Sequence, residues 1–485
     1  MNTLIPVLIA VGLTIVNSSN FLTGVRSTKT GEVYLGTTHY FEDYFLYLSQ
    51  FFQGARGQGW LTANRYTSEQ TPASILFWPN VLLGKLGGMF GLSPMVSYNL
   101  SIIILTFITV ITIYRLQRRI FPGEPFRALV AFLFSVSATS AMNHIWVDGR
   151  SLWYPFQLWK TPNFAFDRLG AVPHQLVQTL LFLLLIDAWF FFRSKRLPAV
   201  LLSTFLLVLI TSLNPVMSAL FLVAAWGAAL VQREKRVIVG LLILSATFTL
   251  ATFYYLTLTN QQPHIQSKLW EAGQQITTTP LFMLLSIGPI SLLGTIGAVT
   301  LIKRARPIEL FSIVLLATGY ALYFSPIPKI IGISNSRVLF PAMYASWGIL
   351  GVLGLETLAI LFHKYVSQIK VSLLTVFLSC LYLIVSLPTL KWELAQKLLV
   401  KPEERVPLLY LPNDVYEGFS YLGRQGSFDD VVLANPVSHM DAMVPALTVH
   451  TGYTGHPFAT IASDKKRTEA SRFFQRQMTA DEAKL

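Results

Sequence analysis

The stretch THYFEDYFLYLSQ, Thr38 to Gln50, sets two carboxylates, Glu42 and Asp43, side by side among five aromatic residues. It follows directly on the first apolar segment of the chain. From Tyr40 to Phe52 the pattern is helical: Asp43, Tyr47 and Gln50 recur at i, i+4 and i+7 on one face. Tyr44, Leu48 and Phe51 form an adjacent, more apolar face. The spacing predicts a helix lying in the membrane interface with its aromatic side toward lipid. A pair of acids at a helix N-terminus is favoured by the dipole alone. Among aromatics near a membrane, though, a buried carboxylate needs a cation, a proton or a substrate hydroxyl to offset desolvation, which favours a functional role.

Outward from this stretch the chain is apolar. Its 485 residues are 53% hydrophobic and only 13% charged, with a mean hydropathy of +0.53. Soluble domains carry roughly 25% charged residues. The composition therefore predicts a polytopic α-helical membrane protein. Eleven apolar segments are candidate spans, at about 2–18, 95–114, 126–142, 172–192, 198–213, 215–231, 237–258, 280–302, 308–325, 338–362 and 371–388. The first lacks a basic leading region and reads as an uncleaved anchor. The single cysteine, Cys380, lies in an apolar run and excludes a disulfide framework.

The net charge of +13 follows topology. Fifteen basic residues gather in five short loops: Arg115, Arg118, Arg119 and Arg127; Arg193, Lys195 and Arg196; Arg233, Lys235 and Arg236; Lys303, Arg304 and Arg306; Lys364 and Lys370. The short loops of the opposite side hold six: Arg150, Lys160, Arg168, Lys268, Lys329 and Arg337. The charge bias puts the N-terminus in the cytoplasm, and no polybasic tract suits nucleic acid. A domain of residues 1–388 then carries a first outer loop, 19–94. Residues 389–485 hold 12 of the 24 acidic residues and read as an extracytoplasmic α/β domain with strands near DDVVLANP and PALTVHTGYTG. No strand follows them, so this domain reads as abbreviated or truncated. Within the first loop, Thr71 and Pro72 resemble an N-cap and first helical residue.

HYFEDYFLYLSQ and WLTANRYTSE in a loop after a short first helix, followed by interfacial helices, resemble the GT-C membrane glycosyltransferases. The tail VVLANPVSHMDAMVPALTVHTGYTGHPFATIASDKKRTEASRFFQRQ is similar to that of uncharacterised bacterial members of this group. The resemblance implies a GT-C-like fold of about eleven transmembrane helices and a polyprenyl-phosphate sugar as donor. It implies a catalytic acid in the first outer loop and an acceptor glycan, lipid or protein on the outer face of a bacterial plasma membrane. The family's acid often stands within a DxD-like or ED-like pair; here no strict DxD is present, the acids are adjacent, and a divalent metal stays open. On this basis Asp43 is the expected base, with Glu42 about 100° away on the helix. Arg337, in SNSRVLFP, and Lys329 are expected to meet the phosphate, since arginine offers it a planar fork. Arg168 and His174, in DRLGAVPHQ, are further candidates for the pocket. The chief alternative is a transporter or flippase of lipid-linked saccharides, which needs midplane charges and repeat symmetry. A ligase or polymerase of another fold, with its large loop late in the chain, is a third reading.

Overall fold

A computed structural model describes all residues except 1–3, 159–160, 171, 192–195, 303, 399–407 and 485. Lys160, Arg193, Lys195 and Lys303 of the charge pattern lie outside the described residues, as does the side chain of Arg196. The chain divides into two compact units.

One unit comprises Met1–Asn17, Ile103–Tyr255 and Glu271–Leu399 and is almost wholly helical. Five helices are long and apolar enough to cross a membrane: Pro94–Ile120, Pro173–Phe191, Lys235–Thr259, Met343–His363 and Val371–Leu398. Counting two bent helix pairs as one span each gives up to seven. Four shorter apolar helices, Pro125–Ser137, Leu197–Thr211, Pro215–Val231 and Pro307–Tyr323, occupy the remaining segments of the hydropathy pattern. The chain breaks at Asn214-Pro215, with the Asn214 side chain accepting from the Val216 amide at 3.2 Å.

Two segments differ from the hydropathy reading. The run 280–302 is not one straight helix. Pro280–Ile287 and Pro289–Leu301 meet at 104°. Between them Gly288 adopts φ 83°, ψ −161°, a region open essentially to glycine, and a Cβ there would collide with the Thr139 carbonyl. Conversely, Pro388 does not end its helix, which runs from Val371 to Leu398. Tertiary hydrogen bonds hold the part beyond the proline. Thr389 donates to the Ser140 carbonyl at 2.6 Å. The buried Glu393 carboxylate accepts from the Ala165 and Phe166 amides at 3.2 and 2.9 Å, capping the short helix Ala165–Arg168 from outside. The boundary read at 388 thus falls inside a helix.

Small residues set the packing of this unit. Gly297 lies against the Leu350 carbonyl and Gly354 against that of Leu293, so the Pro289–Leu301 and Met343–His363 helices approach backbone to backbone. Asp187 pairs with Arg119 at 2.5 Å, and Glu356 with Arg127. His363 meets the Ile369 carbonyl at 2.8 Å.

The other unit comprises Ser18–Ile102, Leu256–Trp270 and Val400–Leu485. The first loop and the tail build it together. Strand Glu32–Tyr34 pairs antiparallel with Tyr410–Pro412. The tail's own sheet is one parallel pair, Val431–Val432 with Thr451–Gly452, the helix Met440–Leu447 lying between them in sequence. Arg65, buried, donates to the Thr448 carbonyl at 3.0 Å and to that of Pro445. Lys466 reaches Glu69 at 2.6 Å and Ser68 at 2.7 Å. The sequence reading kept the tail apart from the first loop; these bonds join them in one core.

The predicted helix near Glu42 spans Phe41–Ala55. Its aromatic face does not turn to lipid. Tyr44, Phe45, Leu48 and Phe51 are buried in the protein, the helix packing on Trp78–Met89 and Met440–Leu447. Gln50, on the expected polar face, is buried too and accepts from Asn80 at 2.7 Å. Gly54 and Gly84 permit this closeness, since a Cβ on either would strike the facing backbone. The second loop helix starts at Trp78, with Pro79 in its first turn, and not at Thr71-Pro72, where the chain makes an antiparallel bridge between Thr62 and Ser74.

Candidate active site

The two adjacent acids enter different environments because the first turn of Phe41–Ala55 projects them about 100° apart. Asp43 keeps 47% of its side chain exposed. Its Oδ1 lies 3.3 Å from Nε2 of His456, whose side chain is only 5% exposed. Glu42 is 14% exposed, accepts from the Tyr40 hydroxyl at 3.0 Å and faces the Arg467 guanidinium at 3.7 Å. Arg467 also stands 3.8 Å from the fully buried carboxylate of Asp441.

The tail positions these groups from two helices. Ser463–Phe474 presents neighbouring cations to different parts of the first loop, Lys466 to Glu69 and Arg467 to Glu42. Asp441 sits in the first turn of Met440–Leu447, entered through His439 at φ 56°. Burial pushes the Asp441 carboxyl up to about 6, Arg467 opposing and Glu42 reinforcing the shift. His39 lies among the rings of Tyr44, Tyr47 and Tyr98, its Nε2 2.6 Å from the Tyr98 hydroxyl. Burial pulls its imidazole down to about 4 against the opposing charge of Asp43, so it is neutral at pH 7. Asp43 is therefore a half-open carboxylate contacting a histidine, and Glu42 belongs to a Glu42–Arg467–Asp441 ion cluster. Among the described residues no three His, Cys, Asp or Glu side chains gather as a metal-binding group.

The other expected site residues lie in the helical unit. Arg337 occupies the short helical turn Asn335–Val338. Asn335 clamps that turn, donating to the Ile276 and Tyr323 carbonyls at 2.9 and 3.1 Å. The guanidinium, 45% exposed, forks onto Glu271, with Nε 3.0 Å from Oε2. Lys329 is exposed on the short helix Ile327–Ile330. Arg168 is different from its expected role. It is buried, donates to the carbonyls of Pro162, Ser135 and Ala138 at 2.9, 3.3 and 2.8 Å, and lies 3.6 Å over the Tyr344 ring. Its donors hold the fold. His174 is likewise buried in the first turn of Pro173–Phe191.

Sequence reasoning missed His456, Arg467, Asp441 and Glu271. The tail carries the family resemblance, but no periodicity links His456 to a carboxylate 413 positions away.

No family model matches the sequence, and no curated protein matches it either. Solved structures are similar in fold. The apo oligosaccharyltransferase of Archaeoglobus fulgidus aligns over 94% of this chain at 12% identity and a TM-score of 0.55, and the chain spans 64% of that protein's length. ArnT from Cupriavidus metallidurans, bound to undecaprenyl phosphate, aligns over 98% of this chain and 89% of its own, at 12% identity and a TM-score of 0.52. With its apolar helices, the chain is an integral membrane protein with the GT-C-type fold of membrane glycosyltransferases.

Proposed function

We propose that this protein is an inverting glycosyltransferase that moves a sugar from a polyprenyl-phosphate donor to an acceptor hydroxyl. In this reaction the acceptor oxygen attacks the anomeric carbon as the bond to the phosphate oxygen breaks. Asp43 takes the hydroxyl proton, and polyprenyl phosphate leaves carrying the negative charge. A single displacement inverts the anomeric centre. The observation that carries the assignment is the Asp43 carboxylate, half exposed and held by His456 while its neighbour Glu42 is tied to a cation. A base so held typically contributes roughly a hundredfold to ten-thousandfold.

Arg337 is the proposed phosphate-binding cation, with Lys329 as a second. Glu271 orients the Arg337 fork, and an arginine so fixed loses less freedom on meeting a phosphate. The fold likeness supports a lipid-linked donor, since the ArnT structure holds undecaprenyl phosphate. The basic loops support a cytoplasmic N-terminus and chemistry on the outer face.

The test is transfer from a panel of polyprenyl-phosphate sugars by the protein in lipid vesicles. Asp43→Asn is expected to lower turnover at least a hundredfold with folding retained, and Arg337→Ala to raise donor KM. Full activity of Asp43→Asn would remove the base. Translocation of lipid-linked saccharide with no transfer would establish the flippase reading instead.

A further inference from the structure

We infer that His456 is a positioning residue that fixes the Asp43 carboxylate through a neutral N–H donor; this rests on the reading of Asp43 as the base. The imidazole's tautomer follows from its bonds. Nδ1 accepts the Phe458 amide at 3.2 Å, so the neutral ring carries its proton on Nε2 and donates to Asp43 Oδ1 at 3.3 Å.

The location of the ring is over-determined. It packs edge-on to Tyr66 and against Phe458, which itself lies tilted against Trp270 with ring centroids 4.9 Å apart. The segment around it is sewn to the first loop. Asn64 donates to the Ala459 carbonyl at 2.8 Å, Thr460 to that of Tyr66 at 2.6 Å, and the Gly452 amide to that of Arg65 at 2.9 Å. Gly455 lies against the Tyr66 ring, where a Cβ would clash. The histidine is thus delivered to the carboxylate by packing that does not involve Asp43.

A half-exposed carboxylate rotates readily about its last torsion, and a base must hold one lone pair toward the reacting hydroxyl. A buried donor restricts that rotation. The chemical type of the donor also matters. An arginine or lysine here would lower the basicity of Asp43, whereas a neutral N–H orients it with a smaller effect. Arg467, on the tail's last long helix, faces Glu42 and Asp441. The tail therefore brings an arginine to one of the twin acids and a histidine to the other.

Substitutions at 456 in the full-length protein in vesicles separate positioning from packing. His456→Phe keeps a ring between Tyr66 and Phe458 but has no donor. It is expected to lower kcat about tenfold to a hundredfold at saturating donor, with KM and thermal midpoint little changed. His456→Gln, whose amide overlays Nε2, is expected to restore most of the rate. His456→Asn, whose amide overlays Nδ1, is expected not to. In an Asp43→Asn background, His456→Phe should cause no further loss, because both act through one group. Wild-type kcat in His456→Phe, equal rates for the Gln and Asn variants, or a full additional loss in the double variant would each overturn the inference. Full activity of Asp43→Asn would instead strike the base assignment beneath it.

Discussion

Arg168 in the helical unit and Arg65 in the loop-and-tail unit are both buried guanidiniums that donate to backbone carbonyls and lie over aromatic rings. They differ in reach along the chain. The carbonyls that Arg168 holds lie within 33 positions of it. Arg65 holds Thr448 and Pro445, 383 and 380 positions away. A cation that satisfies neighbouring carbonyls finishes a local turn. One that satisfies carbonyls from the far end of the chain decides which segments share a core. Long-range polar bonds occur in the helical unit too, as at Thr389 and Glu393, but there they join helices that are apolar on their own; in the other unit they join segments that are not.

The largest effect that would break this comparison is on Arg65. Arg65→Met strands the Thr448 and Pro445 carbonyls in an apolar core, a cost of about 3 kcal/mol or more. Hydrogen exchange should show residues 408–474 and 60–70 losing protection together. Arg168→Met should cost a similar amount per carbonyl but confine the lost protection to residues 135–170. Equal, chain-wide loss in both variants would erase the distinction.

A smaller and pH-dependent effect belongs to Asp441. Its folded-state carboxyl is at about 6, against about 3.9 in an unfolded chain. Between these values the folded state binds more protons, so stability falls as pH rises from about 4 to about 6 and stays low above. Asp441→Asn removes this penalty. It should stabilise the loop-and-tail unit by on the order of 2 kcal/mol at pH 8 and by almost nothing at pH 4, read as thermal midpoints. A gain independent of pH would show that the buried charge is not its source.

What was legible follows the range of the interactions. The apolar segments became helices because transfer from water is a sum over neighbouring residues. Departures came where one backbone position or one tertiary bond overruled the sum. Gly288 bends an apolar run by its left-handed φ, and Glu393 and Thr389 carry a helix past Pro388. The helix at Glu42 and Asp43 was legible from its period, but not its surroundings. The aromatic face read as lipid-facing meets protein, because Gly54 and Gly84 let a second helix close over it. A missed element was readable: Asp148-Gly149, both at positive φ, turn the hairpin Met142–Val147 and Arg150–Pro155, the residue pair such a turn demands.

The chain's hydropathy by itself determined a many-helix membrane protein, and its aromatic-flanked acids marked the helix on which the base is proposed. Only the tertiary structure separated Asp43 from Glu42. That separation depends on His456 and Arg467, more than 400 positions away in sequence. A hydrogen bond acts over about 3 Å, so which donor meets which acid is settled by packing, to which local pattern is blind.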